Sequence, residues 1–183
     1  EPLNNPRFSE FVNTARKYYP KTTQRLVTNG NFDCYKSIGD VFIDEYMISC
    51  DGSFQESYEK YRIKGDIQKV FSFMKNIPTF VSGRRQKKIW KYILFEFNDS
   101  DQEIKKAIKL KEELNVDEIV FVRTHSGYKS IKYSTPQARP PVYGKGIRFD
   151  FTPLQRRSRI VYEHLNNIGP RIFSTKPGFL ILM

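Results

Sequence analysis

The sequence predicts an α/β protein built from parallel βα units. Three observations carry that expectation. Strand-like and helix-like patterns alternate through residues 1–122 with only short loops between them. Helix starts are marked by N-capping residues. The apolar strand patterns end in polar turns. Right-handed crossovers between such units give either an open doubly wound sheet or part of a barrel, and both place ligands at the C-terminal ends of the strands.

Along the chain, Asn5-Pro6 reads as a helix start, with Asn5 as N-cap and Pro6 at the first helical position. Phe8, Phe11, Val12, Ala15, Tyr18 and Tyr19 recur at helical spacing until Pro20. Residues 24–28 are the first expected strand, stopped by Asn29-Gly30. Residues 33–41 read as a brief helix and 44–49 as the second strand, with Cys50-Asp51-Gly52 as its exit. Ser53-Phe54-Gln55-Glu56 has the form of a capping box for a helix ending near Tyr61. Gly65-Asp66 restarts the chain into a helix with Ile67, Val70, Phe71, Met74 and Ile77 on one face. Residues 78–88 read as a loop with a basic cluster, and 89–97 as an aromatic-rich strand. Ser100-Asp101-Gln102-Glu103 is a second capping box, opening a helix that stops near Asn115. Residues 118–122 are the fourth strand.

Beyond residue 125 the periodicity weakens, because Pro136, Pro140, Pro141, Gly144 and Gly146 break the chain. Residues 153–167 read as a helix and 179–183 as a strand. The chain therefore divides into residues 1–122 and an irregular basic C-terminal extension, 123–183.

A hydrophobic share of 39% in 183 residues supports a real core. No apolar run approaches the ~20 residues of a membrane helix. Two cysteines are too few for a disulfide framework, which points to a reducing, cytoplasmic setting. They do not form a zinc spacing with His125 and His164. The net charge of +11 is uneven: residues 123–183 carry 11 Lys/Arg against 2 Asp/Glu, and residues 1–122 carry 20 against 18. The basic extension is either a nucleic-acid or other acidic-partner surface, with Tyr128, Tyr133, Tyr143, Phe149 and Phe151 interleaved for stacking, or a solvated face.

The strand exits carry a resemblance. Glu1-Pro2-Leu3 resembles the end of the Gly-Gly-Glu-Pro-Leu stretch of the radical S-adenosylmethionine (radical SAM) family. Thr28-Asn29-Gly30 is similar to that family's third-strand exit. Ile48-Ser49-Cys50-Asp51-Gly52, the helix through Tyr58 to Arg62 and the turn at Gly65-Asp66 resemble its next unit, and Asn98 an asparagine after its fifth strand. The resemblance covers residues 1–122. It implies a partial TIM-type barrel from a longer chain whose glycines and cluster-binding cysteines precede Glu1. The chain as given is expected to be inactive alone.

The resemblance also implies S-adenosylmethionine and a 4Fe-4S cluster as cofactors, and a flavodoxin or ferredoxin as electron donor. The cluster needs thiolates spaced Cys-x3-Cys-x2-Cys. Cys34 and Cys50 lie on other elements, so no metal ligand is expected here, and Cys50 reads as a small core residue. Glu1 is placed at the cofactor's amino group in the complete chain and is expected to be a frayed terminal residue here, with Thr28 and Asn29 facing the same cavity or simply ending a strand. Ser49 alternates against Ile48 and so faces the other way, toward ribose or carboxylate. Asp51 binds ribose or forms an Asx turn, and Arg62 pairs with the methionine carboxylate or is solvated. Asn98 lies near the ribose or ends its strand, and Val122 neighbours the adenine. His125 is a loop residue or faces substrate, and the substrate is unassigned. The alternative function is a cluster-free α/β binding module with a nucleic-acid-binding basic region.

Overall fold

Two periodicities set the architecture: alternation along strands and a near-3.6-residue apolar repeat along helices. The computed structural model describes residues 1–124, 127–135, 137–138, 140, 144–150, 172–173 and 179–182. In chain order the elements are α1 (Phe8–Tyr18), β1 (Thr23–Thr28), α2 (Cys34–Ile38), β2 (Glu45–Ser49), α3 (Gln55–Glu59) and α4 (Ile67–Asn76). There follow β3 (Phe80–Val81), β4 (Arg84–Arg85), β5 (Lys87–Leu94), α5 (Asp101–Glu113), β6 (Glu118–Arg123), β7 (Ile147–Asp150), β8 (Ile172–Phe173) and β9 (Phe179–Leu182).

One sheet runs β7-β6-β5-β2-β1-β9-β8. Strands β1, β2, β5, β6 and β7 are all parallel. Their spatial order follows the chain without reversal, so right-handed crossovers put each connecting helix on the same face. The packing agrees. Leu26, Tyr46, Ile48, Trp90 and Phe121 share one core with Val12 of α1, Ile38 of α2, Val70 of α4 and Ala107 of α5. These five strands are thus singly wound, and the doubly wound alternative needs a reversal they lack.

Trp90 anchors the helix-covered face. It is fully buried, stands edge-on to Phe71 with ring centroids 5.9 Å apart, and donates its indole N–H to the Cys50 carbonyl at 2.7 Å. Lys88 is also buried on this face, and its ammonium lies 3.3 Å from the Met74 carbonyl and 3.4 Å from that of Ile77. A cation there suits the negative end of α4, although burial pulls its pKa down.

The other face carries charge at its N-terminal end. Arg25 pairs with Glu45, Lys87 reaches Glu118 at 2.7 Å, and Arg148 meets Glu118 at 2.5 Å. Burial raises the Glu118 pKa, but the bonds from Lys87 and Arg148 outweigh it and hold the carboxyl below its ordinary 4.5.

The structure departs from the sequence reading in local ways. Helix α1 begins at Phe8 rather than Pro6, because Asn5 instead accepts from the Arg7 amide at 2.9 Å in a turn. The 53–56 capping box does not form: Ser53 is buried and bonded to Glu103, and Phe54 precedes α3 without a side-chain cap. The second box forms by half, since Ser100 accepts from the Glu103 amide at 3.2 Å while the Glu103 carboxylate points to Ser53. The expected loop at 78–88 holds the β3–β4 hairpin, turned through Ser82 and Gly83 at positive φ. The third expected strand stops at Leu94, where Asn98 Oδ1 takes the Phe95 amide at 2.7 Å. The outer edge of β1 is paired by β9, in parallel register from Thr23 opposite Phe179. The expected helix at 153–167 lies outside the described residues.

Gly30 has φ of 70°, and a Cβ there would come 2.9 Å from Ile48 Cγ2. Gly30→Ala is therefore expected to lower stability by about 1–3 kcal/mol, read from the urea midpoint. Because the folded pKa of Glu118 is depressed, its stabilisation is present above 4.5 and is lost as pH falls through the folded value. Glu118→Gln should cost about 1 kcal/mol at neutral pH. Its unfolding curve should converge on that of the parent in acid.

Candidate functional site

The C-terminal ends of β1, β2 and β5 form a polar rim. At the β1 exit, Glu1 caps a short 3-10 turn at Pro2–Asn4 and turns its carboxylate onto the strand end. One oxygen accepts from Thr28 Oγ1 at 2.9 Å and the other from the Asn29 amide at 2.9 Å. Thr28 Oγ1 also accepts from the Gly30 amide at 3.1 Å, and Asn29 Oδ1 from the Asn31 amide at 2.9 Å. Glu1, Thr28 and Asn29 are therefore one cluster, and Glu1 is held rather than frayed.

A second network locks the β2 exit to β5. Asp51 is fully buried; one oxygen accepts from the Ile93 amide at 2.8 Å and the other from Arg62 Nη2 at 2.7 Å. Its carbonyl accepts from Asn98 Nδ2 at 2.9 Å, and Asn98 also bonds the Ile93 carbonyl at 3.0 Å. The Tyr92 hydroxyl lies 2.9 Å from the Asn98 carbonyl and 3.2 Å from the Glu103 carboxylate. Burial dominates Asp51 and raises its pKa despite Arg62. Burial opposes the charge of Arg62 too, but Asp51 beside it keeps the guanidinium above its usual value. Asp51, Arg62 and Asn98 are thus committed to one another through internal hydrogen bonds.

Between these networks lies a cleft of about 230 Å3 lined by Asn29, Asn31, Tyr58, Arg62, Lys64 and Gly65, among others. Asn31 donates to the Tyr58 hydroxyl at 2.6 Å and accepts from the Asp66 amide at 2.9 Å. Burial pushes the Tyr58 phenol up to about 12.

Ser49 and Val122 stand on the opposite face of the sheet, away from the described helices. Ser49 is 8% exposed and pairs in register with Lys91; Val122 pairs with Ile93 and Asp150. Sequence reasoning missed Lys91. Strand alternation carried the signal: Lys91 lies between Trp90 and Tyr92, two residues of the buried face. It also missed the contact between Ser53 and Glu103, because both sit in apparent capping boxes. His125 and Tyr143 lie outside the described residues.

The cysteines fit no metal. Both are buried; burial pushes Cys34 up to about 11 and Cys50 well above its ordinary value. Among the described residues no group of His, Cys, Asp and Glu could hold an ion. Of the cations in the basic extension, Lys132 pairs with Asp101 and Arg148 with Glu118. No described helix is long and apolar enough to cross a membrane. No family model matches the chain, and no curated protein matches it.

Asp51→Asn would set an amide N–H against the Arg62 guanidinium and leave that cation unpaired. The expected loss is about 3–5 kcal/mol in urea unfolding. Adding Arg62→Met should recover part of it.

Proposed function

We propose that this chain is part of a radical SAM enzyme and that its rim takes the adenosyl cofactor on the side of the sheet away from the described helices. One observation carries the reading. The Glu1 carboxylate bonds both Thr28 Oγ1 and the Asn29 amide, so two separated stretches that resemble the family meet at one strand exit. The parallel, singly wound order of β1 to β7 supports a barrel segment.

The residues fit the two cofactors differently. The 4Fe-4S cluster has no place among the buried cysteines described above. The fit to S-adenosylmethionine is better. Glu1 Oε1 accepts from Thr28 Oγ1 and, at 3.4 Å, from the Leu3 amide, while Oε2 accepts from the Asn29 amide and keeps a second acceptor site for an ammonium. The Ser49 hydroxyl, which forms no side-chain hydrogen bond among the described residues, is left for a ribose oxygen. Val122 and Ile93 offer apolar wall for the adenine. When bound, the cofactor supplies a 5′-deoxyadenosyl group for hydrogen abstraction. Asp51, Arg62 and Asn98 shape the pocket through their internal network instead of touching the ligand.

Calorimetric titration of the chain with S-adenosylmethionine tests this. Saturable binding is expected, weakened about 3- to 10-fold by Ser49→Ala. Glu1→Gln should weaken it more, because it removes the carboxylate charge facing the ammonium. No binding, or binding untouched by either change, would overturn the reading.

A further inference from the structure

A row of aromatic rings lies beyond the end of β5. The turn there is closed by the Asn98 amide on the Phe95 carbonyl at 3.2 Å, which leaves Phe95 buried and Phe97 partly exposed. Tyr61 packs on Phe95 with ring centroids 4.6 Å apart, and Phe97 stacks on Phe95 at 5.0 Å. Tyr128 stands edge-on to Phe97 at 6.3 Å. Tyr61 and Tyr128 are 45% and 62% exposed. Single exposed rings are ordinary on a protein surface, whereas a contiguous row marks an interaction site.

Beside this row a cleft of about 320 Å3 opens between α3 and the start of α5, lined by Phe54, Ser57, Lys60, Phe97 and Gln102, among others. It lies on the helix side of the sheet, since Tyr58 of α3 and Ala107 of α5 both belong to the helix-covered core. None of the residues assigned to the cofactor lines it. Glu103 does line it, but that carboxylate accepts from the Ser53 amide at 2.8 Å and lies 3.2 Å from the Tyr92 hydroxyl.

Two rings of the cleft each carry a lysine. The Lys106 ammonium lies 3.4 Å from the Phe54 ring centroid, and the Lys60 ammonium 5.6 Å from that of Phe97. Neither has an ion pair among the described residues, nor does the exposed Lys129, which follows Tyr128 and bridges to Phe95 through its backbone. Against these three cations stand two carboxylates without partners among the described residues, Glu56 and Glu96. The surplus of positive charge is therefore small, and the rings must carry most of the affinity. An acidic peptide brings charge and few rings, and a nucleic-acid duplex keeps its base faces stacked inside. A single strand offers both flat bases and spaced phosphates.

We propose that the row of Tyr61, Phe97 and Tyr128 and the adjoining cleft bind single-stranded nucleic acid, the rings stacking bases and Lys60, Lys106 and Lys129 meeting phosphates. A base that stacks on Phe54 or Phe97 displaces an ammonium from the ring, and that ammonium then turns to a phosphate. The exchange is favourable because a stacked base outweighs an exposed cation–π contact. This surface stands whether or not the cofactor reading does.

Fluorescence anisotropy of labelled oligouridine with the 183-residue chain, over a range of salt, tests it. Saturable binding is expected, about tenfold or more tighter than for the duplex with oligoadenosine or for polyglutamate. Tyr128→Ala should weaken it about 5- to 100-fold, whereas Tyr128→Phe, which keeps the ring, should bind like the parent. Lys60→Gln should lower the slope of log affinity against log salt by about 0.7. Both side chains are exposed, and an unchanged urea midpoint confirms that the variants fold. No saturable binding, equal binding of duplex or polyglutamate, or an affinity unmoved by Tyr128→Ala and Lys60→Gln overturns the proposal.

Discussion

The buried Asp51 carboxylate is the constraint on which the rim depends. A fully buried charge costs several kcal/mol of solvation unless every lone pair is met. Here the Ile93 amide and Arg62 meet the side chain, and Asn98 meets the adjoining carbonyl. These bonds tie the β2 exit to the end of β5, to the segment between α3 and α4, and to the turn before α5. The backbone follows closely: a Cβ on Gly52 would come 2.8 Å from the Tyr58 amide nitrogen. The Ser53–Glu103 contact extends the same lock to the first turn of α5.

This arrangement divides labour between the two faces of the sheet. The helix-covered face holds the large rings and the one core shared by α1, α2, α4 and α5. The opposite face, away from the described helices, holds Ser49, Lys91 and the apolar positions beside them. Alternation along β2 and β5 produces the division, since a residue shifted by one position changes face. The Asp51 network therefore acts as scaffold, and the proposed cofactor site lies beside it.

Much of the fold was legible in the sequence. The four central strands and the helices of 67–76 and 101–113 follow from strong apolar periodicity, which tertiary packing reinforces. Capping was less legible. Ser53 and Ser100 carry the same local pattern, yet Ser53 finds a buried tertiary partner and Ser100 caps its helix. A local rule cannot see a partner fifty residues away. The pairing of β9 with β1 was hidden for the same reason, since register is set by the sheet and not by residues 179–182 alone. Among site residues, Glu1, Thr28 and Asn29 were named and do meet. Asp51, Arg62 and Asn98 were also named, but their side chains are used internally. Lys91 went unnoticed inside an apolar run, where its face is known only once the register is known.

Hydrogen–deuterium exchange with and without S-adenosylmethionine locates the ligand on the sheet. Slowed exchange is expected at the strand exits, residues 28–31 and 49–52, with no change at the opposite end in the hairpin of residues 80–85. Protection confined to the hairpin end, or absent from both exits at saturating ligand, would contradict the proposed cofactor site.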